Sequence, residues 1–219
     1  MPGAAIERID KKSLCNMFLA AARMLAEKSP VLSDIDSRFG DGDHGVTMNK
    51  IASAIEGRVA AWRADTDMTI RDFLEGLGDA IMAVGGGSAG PLYGTLVGGL
   101  AEPLADETEI DAMTLKAMLR GAQDAMCEIT KARIGDKTMM DALIPAIEAA
   151  ESAPNEVGAI LSAAAEAAES GAEGTKKQVS KFGRARSYGE RTIGTPDAGA
   201  MSTAILFQGL AGAGRELGE

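Results

Sequence analysis

Hydrophobic residues recur at spacings of three and four along most of this chain of 219 residues. That spacing places them on one face of an α-helix, whereas no segment shows a convincing run of the alternation typical of a half-buried strand. The pattern therefore predicts an all-α fold of about eight helices. The predicted ranges are 9–28, 46–63, 70–84, 90–105, 114–131, 138–151, 155–173 and 198–215.

The connections between these predicted helices are of two kinds. Those after helices two, four and six are short or acidic, as expected of plain turns. Those after the odd-numbered helices are rich in glycine and carry charges. Because short connections favour antiparallel neighbours, we expect all four odd-numbered connections at one end of a bundle. If these glycines only ended helices, they would be expected after even-numbered helices as well. The four segments are SDIDSRFGDGDHG, GGGSAGP, KARIGDKT and GTKKQVSKFGRARSYGERTIGTPDAGA.

The composition supports a helical protein of the cytoplasm. Hydrophobic residues make up 46% of the chain and aromatic residues only 4%, with 12 methionines, a selection that favours helices over strands. A formal net charge of −10 argues against nucleic acid as a partner, because nucleic acids bind basic surfaces. Cys15 and Cys127 are too few for a disulfide framework, so a reducing compartment is expected. No segment is predicted to span a membrane, and we expect a single domain over residues 1–219.

The first glycine-rich connection carries three carboxylates that are candidates for binding a metal ion. Asp36, Asp41 and Asp43 stand at i, i+5 and i+7, close enough for a folded loop to direct all three to one point. Oxygen ligands without cysteine or several histidines suit Mg²⁺ or Ca²⁺ rather than Zn²⁺. The EF-hand pattern does not fit because its closing glutamate is missing. Mg²⁺ with phosphate oxygens in its shell fits better; the alternative is that these aspartates only cap helices and turns.

The same connection holds the only histidine of the chain, His44, followed by Gly45 and a helix predicted to begin at Val46. Backbone N–H groups at a helix start form an anion site, and Thr47 adds a hydroxyl. A lone histidine is more often structural than catalytic, but a glycine-rich loop is an unusual place for a structural one. The absence of a second histidine excludes a relay between phosphohistidines and a site built from several histidines.

The second and the last glycine-rich connections have the character of phosphate-binding segments. GGGSAGP precedes a predicted helix but lacks the lysine of a P-loop, so that mechanism is excluded. The last connection concentrates basic residues ahead of Asp197, and arginine binds phosphate bidentately and stabilises charge on a transferring phosphoryl group. The alternative is a solvated basic loop. Together with the carboxylates, these segments predict a magnesium-nucleotide site. The basic residues are Lys176, Lys177, Lys181, Arg184, Arg186 and Arg191.

Four segments resemble the nucleotide-binding L subunit of dihydroxyacetone kinases, in the order and at the spacing of that family. The resemblance runs through nearly the whole chain. It implies an up-and-down barrel of eight antiparallel helices that binds MgATP or MgADP at one end. The segments are IDSRFGDGDHGVTMNK (35–50), GGGSAGPLYGT (85–95), GDKTMMDALIPA (135–146) and GRARSYGERTIGTPDAGA (183–200).

The resemblance also implies roles for single residues. Asp36, Asp41 and Asp43 are similar to the ligands of magnesium, of which two ions are expected. Arg184 corresponds to a phosphate-side arginine and is the predicted catalytic residue. The positions implied in nucleotide binding, besides Arg184, are His44, Gly45, Thr47, Ser88, Ala89, Gly135, Thr138, Met139, Asp197 and Gly199.

In that family a histidine on a separate K subunit or domain holds the ketose covalently. The resemblance therefore implies half an enzyme, which transfers a phosphoryl group to a short ketose on a K subunit. The nucleotide is either exchangeable ATP or a tightly bound ADP that a phosphotransferase-system M subunit would rephosphorylate. Two alternatives stay open: the nucleotide domain of a fatty acid kinase, and a non-catalytic ADP-binding regulator that docks onto a transcription factor.

Overall fold

The computed structural model describes residues 8–65 and 67–216 and is mainly α-helical, as predicted. The last connection contains two short 3-10 helices, Thr175–Lys177 and Arg184–Thr192. Strands β1 (Ile9–Asp10) and β2 (Glu109–Ile110) form one antiparallel pair that the hydrophobic pattern did not predict. The α-helices are α1 (Lys11–Ser37), α2 (His44–Ala64), α3 (Ile70–Met82), α4 (Ala89–Gly99), α5 (Ala112–Ile129), α6 (Met140–Ser152), α7 (Val157–Gly174) and α8 (Ala198–Glu216).

These helices pack against one another in chain order, from α1 with α2 through to α7 with α8, and α8 then packs against α1. The result is the predicted up-and-down barrel, in which the four odd-numbered connections lie at the same end. The ends of the domain predicted over 1–219, residues 1–7 and 217–219, lie outside the described residues. None of the helices in the described ranges has the length and hydropathy needed to cross a membrane.

Close helix contacts in the barrel depend on small residues. A Cβ on Gly209 of α8 would lie 2.3 Å from the Cα of Ala21 in α1. Between α4 and α5, a Cβ on Gly121 would lie 2.6 Å from the carbonyl oxygen of Gly99. Real Cβ atoms do not approach other atoms so closely, so these helices touch backbone to backbone, and larger side chains would separate them.

The prediction for the end of the first helix was wrong, because α1 continues to Ser37 instead of ending near residue 28. A proline inside a helix removes a backbone hydrogen bond, and α1 contains Pro30. Contacts with α2 offset this cost: Ser29 is buried and its hydroxyl donates to the carbonyl of Gly45 at 2.8 Å. Asp36 therefore lies in the last turn of a helix and not in the loop where it was predicted.

The predicted end of the fourth helix was also wrong. Helix α4 ends at Gly99, and the chain continues in tight turns up to Leu104 instead of remaining helical to residue 105. In these turns the amide of Ala101 donates to the carbonyl of Gly98 and that of Leu104 to the carbonyl of Ala101. Two glycines at 98 and 99 explain the early end, because glycine destabilises a helix interior.

The substitution Gly209→Ala tests the contact that closes the barrel. Because its Cβ would overlap the backbone of α1, we expect a loss of about 1–3 kcal/mol in the free energy of unfolding, measured by denaturant titration. Gly212→Ala on the same helix is the control, since no atom lies within 4 Å of the added Cβ. There the higher helix propensity of alanine should raise the stability by about 0.5–1 kcal/mol. The same effect for both variants would contradict close packing of α8 on α1.

Candidate functional site

The three predicted metal ligands come together where α1 ends and α2 begins. Asp36, Asp41 and Asp43 each offer a carboxylate oxygen, and these oxygens lie within 4.8 Å of one another. Asp36 accepts a hydrogen bond from the amide of Gly42 at 2.9 Å, and Gly42 has a positive φ of 77°, so the loop turns back over the helix end. Three carboxylates held this close repel one another unless a cation binds between them. The group therefore fits a hard divalent cation such as Mg²⁺.

The last connection lies against this carboxylate group. Arg184, the first residue of the second 3-10 helix, forms an ion pair with Asp41. The rings of Phe39 and Tyr188 also pack, with centroids 5.2 Å apart, and the guanidinium of Arg191 lies over Tyr188 at 5.3 Å. These contacts connect the first and last connections, as the predicted common site requires. The guanidinium of Arg184 is adjacent to the candidate metal ligands, while its side chain stays 67% exposed.

His44 is the first residue of α2, and the start of α8 holds its ring. Its Nε2 lies 2.8 Å from the hydroxyl of Ser202, which itself lies 2.7 Å from the hydroxyl of Tyr93. Ser202 also has the carbonyl of Ala198 as an acceptor at 3.0 Å, so its hydroxyl is free to accept a hydrogen bond from Nε2–H. Partial burial lowers the pKa of His44, although the Asp36 carboxylate and the Ala198 carbonyl oppose this shift. The imidazole is therefore neutral at neutral pH.

The second glycine-rich connection packs on the first turn of α2. Thr47 is buried, and a Cβ on Gly86 would lie 2.2 Å from its hydroxyl oxygen, so only glycine allows this approach. Ser88 is exposed, precedes the first turn of α4 and does not cap that helix with its side chain. Ala89 is the first residue of α4. This arrangement leaves the Ser88 hydroxyl and the helix start available to an anion.

The third glycine-rich connection is folded around a buried carboxylate. Asp141 accepts hydrogen bonds from the amides of Gly135 at 2.6 Å and Thr138 at 2.8 Å, so neither amide is free for a ligand. Met139 is buried at the start of α6. A Cβ on Gly199 would lie 3.5 Å from the Cβ of Met139, which shows that the third and last connections meet here.

Asp197 immediately precedes α8. Its carboxylate accepts from the amide of Ala200 at 2.8 Å. Removal of the carboxyl group from water raises the pKa of Asp197 to about 6, although this hydrogen bond and the ammonium of Lys137 counteract the shift. Asp197 is therefore a desolvated acid that is mostly ionised at neutral pH.

Four further polar residues of the site were missed from the sequence. Lys137 and Asp141 stand inside the segment GDKTMMDALIPA, yet nothing local shows that both are buried. Tyr93 and Ser202 lie on apolar helix faces, and a hydroxyl on such a face was the one signal that could have identified them. Buried hydroxyls need hydrogen-bond partners, and here they find each other and His44.

Residues 38–212 match the DAK2 domain family. The chain belongs to this family. The ADP-binding subunit DhaL of the PEP-dependent dihydroxyacetone kinase of Escherichia coli K12 is 31% identical over 211 residues, which cover 95% of this chain and 99% of that protein. D-erythrulose kinase of Mycolicibacterium smegmatis is 36% identical over 207 residues. The match covers 93% of this chain but 36% of that relative, so the chain spans about a third of it.

The DAK2 fold is also found in a solved structure. The crystal structure of the dihydroxyacetone kinase from C. freundii in complex with AMP-PNP and Mg²⁺ superposes with a TM-score of 0.68. The superposition covers 97% of this chain and 34% of that protein at 23% sequence identity. This likeness supports the all-α barrel described above.

In this DAK2 domain the four glycine-rich connections are joined by direct contacts. The first connection contacts the last through Arg184 and Asp41, and the second connection packs at Gly86 against Thr47 in the first turn of α2, directly after the first connection. The third contacts the last at Gly199. The structure therefore places the predicted site residues at one end of the barrel, while their roles toward a ligand stay predictions.

The substitution Asp41→Asn tests the metal assignment. We expect the affinity for ADP in the presence of Mg²⁺ to fall by about tenfold or more, because a ligand charge is lost, while the helical circular dichroism stays unchanged. Since Asp41 also pairs with Arg184, the informative quantity is the ratio of affinities with and without Mg²⁺ in calorimetric titrations. Asp34→Asn, an exposed change of the same charge outside the cluster, is the control. An unchanged ratio in Asp41→Asn would contradict the metal assignment.

Proposed function

We propose that this chain is the nucleotide-binding subunit of a dihydroxyacetone-type ketose kinase. It binds MgATP or MgADP as a single domain in the cytoplasm and transfers a phosphoryl group to a short ketose held covalently on a separate K subunit. The observation that carries this proposal is the ion pair between Arg184 and Asp41, which joins a phosphate-binding side chain to the carboxylate group. The relatives from E. coli and M. smegmatis, an ADP-binding kinase subunit and an erythrulose kinase, support the same reaction class.

Asp36, Asp41 and Asp43 would hold two magnesium ions together with phosphate oxygens. When bound, Mg²⁺ neutralises charge on the phosphates and orients them for an in-line displacement. The cluster suits this role because Asp41 and Asp43 are exposed toward the ligand, while Asp36 is oriented by the amide of Gly42. The complex of the C. freundii kinase with AMP-PNP and Mg²⁺ supports the same pairing of metal and nucleotide.

The remaining residues would bind the nucleotide around this metal group. Arg184 pairs with Asp41 but is exposed, so its guanidinium could turn from Asp41 toward the transferred phosphoryl group. There it would stabilise the charge that develops during the transfer. Ser88 and Ala89 offer the start of α4 to a phosphate, and the buried Met139, beside Gly199, offers an apolar side chain suited to the adenine. These assignments state which part of the nucleotide each residue of the site would contact.

The acceptor and its base are expected to come from the partner. The carboxylates of the cluster are expected to bind the cation, and the Nε2 of His44 is directed at Ser202. Neither group is therefore placed to accept a proton from a ketose. We infer that a ketose hydroxyl on the K subunit attacks the γ-phosphoryl group in line, that ADP leaves as the bond from the γ-phosphorus to the bridging oxygen breaks, and that a residue of that subunit takes the hydroxyl proton.

The site end of the barrel also offers a surface for such a partner. Nine large hydrophobic side chains are exposed in the described part of the chain, and of these Met113 alone lies in the half of the barrel remote from the site. Exposed apolar groups clustered around a polar site are typical of protein interfaces. We define the apolar rim as Val46, Met82, Ile134, Phe182, Tyr188 and Ile193.

Titration and turnover together test this function. The purified chain is titrated with ADP and with ATP, each with and without Mg²⁺, and is then mixed with a K subunit and dihydroxyacetone or erythrulose. We expect nucleotide binding that requires Mg²⁺, and ketose phosphate only when both proteins are present. If ADP leaves slowly and turnover requires a phosphotransferase-system M subunit, the ADP-retaining form of the enzyme is supported. Binding without turnover would favour the regulator, and no binding that depends on Mg²⁺ would refute the proposal.

The substitution Ile193→Ser tests the apolar rim. Ile193 is 50% exposed, and its removal should raise the K-subunit concentration needed for half-maximal transfer by about tenfold, as for a contributing interface residue. The affinity for MgADP should not change, because the side chain faces solvent. Met113→Ser, at a side chain that is 61% exposed at the opposite end, should change neither quantity. Equal effects of the two variants on K-subunit binding would argue against docking through the rim.

A further inference from the structure

Lys137 is a buried lysine in the third glycine-rich connection, next to the predicted nucleotide residue Thr138. It is 3% exposed, and its φ of 60° lies in the left-handed region that side-chain-bearing residues rarely adopt. Lysine is among the residues least often buried, and such backbone conformations persist only where the surroundings enforce them. Both features call for a specific explanation at this position.

The ammonium group of Lys137 joins two separate parts of the last connection. Its Nζ donates to the carbonyl of Thr175 at 2.6 Å and to the carbonyl of Thr195 at 2.5 Å. Thr175 directly follows α7, whereas Thr195 stands two residues before Asp197. One side chain from the third connection therefore holds both the beginning and the end of the last connection.

Further hydrogen bonds connect the same two parts of the last connection. The amide of Asp197 donates to the hydroxyl of Thr175 at 2.9 Å, and the amide of Gly194 donates to the carbonyl of Lys176 at 2.8 Å. The segment 194–197 therefore lies along residues 175–176, and the side chain of Lys137 contacts both segments. The position of Asp197 and Gly199 consequently depends on this assembly.

The charges around Lys137 agree with such a role. Burial lowers the pKa of its ammonium group, and the carboxylates of Asp197 and Asp141 oppose that shift. Asp141 is itself the acceptor for the amides of Gly135 and Thr138. The ammonium thus stands between the acid that shapes the third connection and the acid that precedes α8.

We propose that Lys137 is a positioning residue of the nucleotide site, which sets residues 195–199 in place relative to residues 135–139. This inference rests on the proposed function, because Met139 and Gly199 belong to the two segments that are expected to contact the nucleotide. Lys137 is buried and its ammonium group is bonded to two backbone carbonyls, so we expect no direct contact with the nucleotide. It acts through the backbone of Thr195 and through the charge of Asp197.

The test is the affinity for ADP in the presence of Mg²⁺, measured by calorimetry for Lys137→Met. We expect the dissociation constant to rise by about tenfold to a hundredfold, because small displacements of positioning groups have effects of this size. Hydrogen exchange should become faster at residues 192–199 and remain unchanged in α1 to α3. A loss of affinity without faster exchange in this segment would overturn the proposed mechanism.

Two control variants separate positioning from general loosening. Lys116→Met removes a lysine whose Nζ likewise donates to two backbone carbonyls, those of Glu151 at 3.1 Å and Ala153 at 2.7 Å, but at the end of the barrel remote from the site, so the affinity should change by less than about twofold. Gly121→Ala, whose Cβ would lie 2.6 Å from the carbonyl oxygen of Gly99, lowers the stability at the contact between α4 and α5 and should leave the affinity unchanged. If either control weakened MgADP binding as much as Lys137→Met does, the positioning role would be excluded.

A second substitution covers the case in which Lys137→Met does not fold. Lys137→Gln keeps a hydrogen-bond donor without the charge, on a side chain one bond shorter, and its affinity should lie between those of the wild type and Lys137→Met. If neither variant folds, hydrogen exchange of the wild-type protein is the test. The free energy of local opening, derived from amide exchange, should then be the same for residues 135–139 and 194–197. Wild-type protein that fails to bind MgADP would refute the proposed function. Normal binding by the wild type and by both variants, or independent opening of the two segments, would overturn the role of Lys137 alone.

Discussion

The backbone contact between α8 and α1 closes the barrel, and the arrangement of the site depends on it. Gly209 has no side chain to keep the two helices apart, so α8 lies directly against α1. This contact brings the start of α8, with Asp197 and Ser202, beside the carboxylates at the end of α1 and His44 at the start of α2. In an open bundle the first and last connections would not be held together. Arg184 would then not be held next to Asp41.

Charged groups occupy two distinct environments in the site. Asp41, Asp43 and Arg184 are exposed, where interactions between charges are screened and can be exchanged for those with a ligand. Lys137 and Asp141 are buried, where each polar atom needs a partner and rearrangement has a high energetic cost. The exposed layer is suited to binding and releasing a charged nucleotide, while the buried layer holds the segments that present it. The raised pKa of Asp197, at about 6, belongs to the second environment.

The proposed division of labour between this chain and a K subunit rests on the chemistry of the residues in the site. The DAK2 domain has carboxylates, an arginine and helix starts, which suit a metal and phosphates. Its only histidine pairs with Ser202, which in turn pairs with Tyr93, so in the proposed reaction the acceptor and the base come from the partner. In this proposal, the exposed hydrophobic side chains around the same end are the surface on which the partner would dock.

The helical class, the number of helices and the common end of the glycine-rich connections were determined by the sequence alone, because they depend on local spacing and on the parity of an up-and-down chain. The grouping of Asp36, Asp41 and Asp43 was likewise predictable, since these residues are close in sequence. Only the tertiary structure decided that α1 continues past Pro30 and that Lys137 is buried. Both depend on contacts between residues far apart in the chain, such as Ser29 with Gly45 and Lys137 with Thr195, to which local patterns are insensitive.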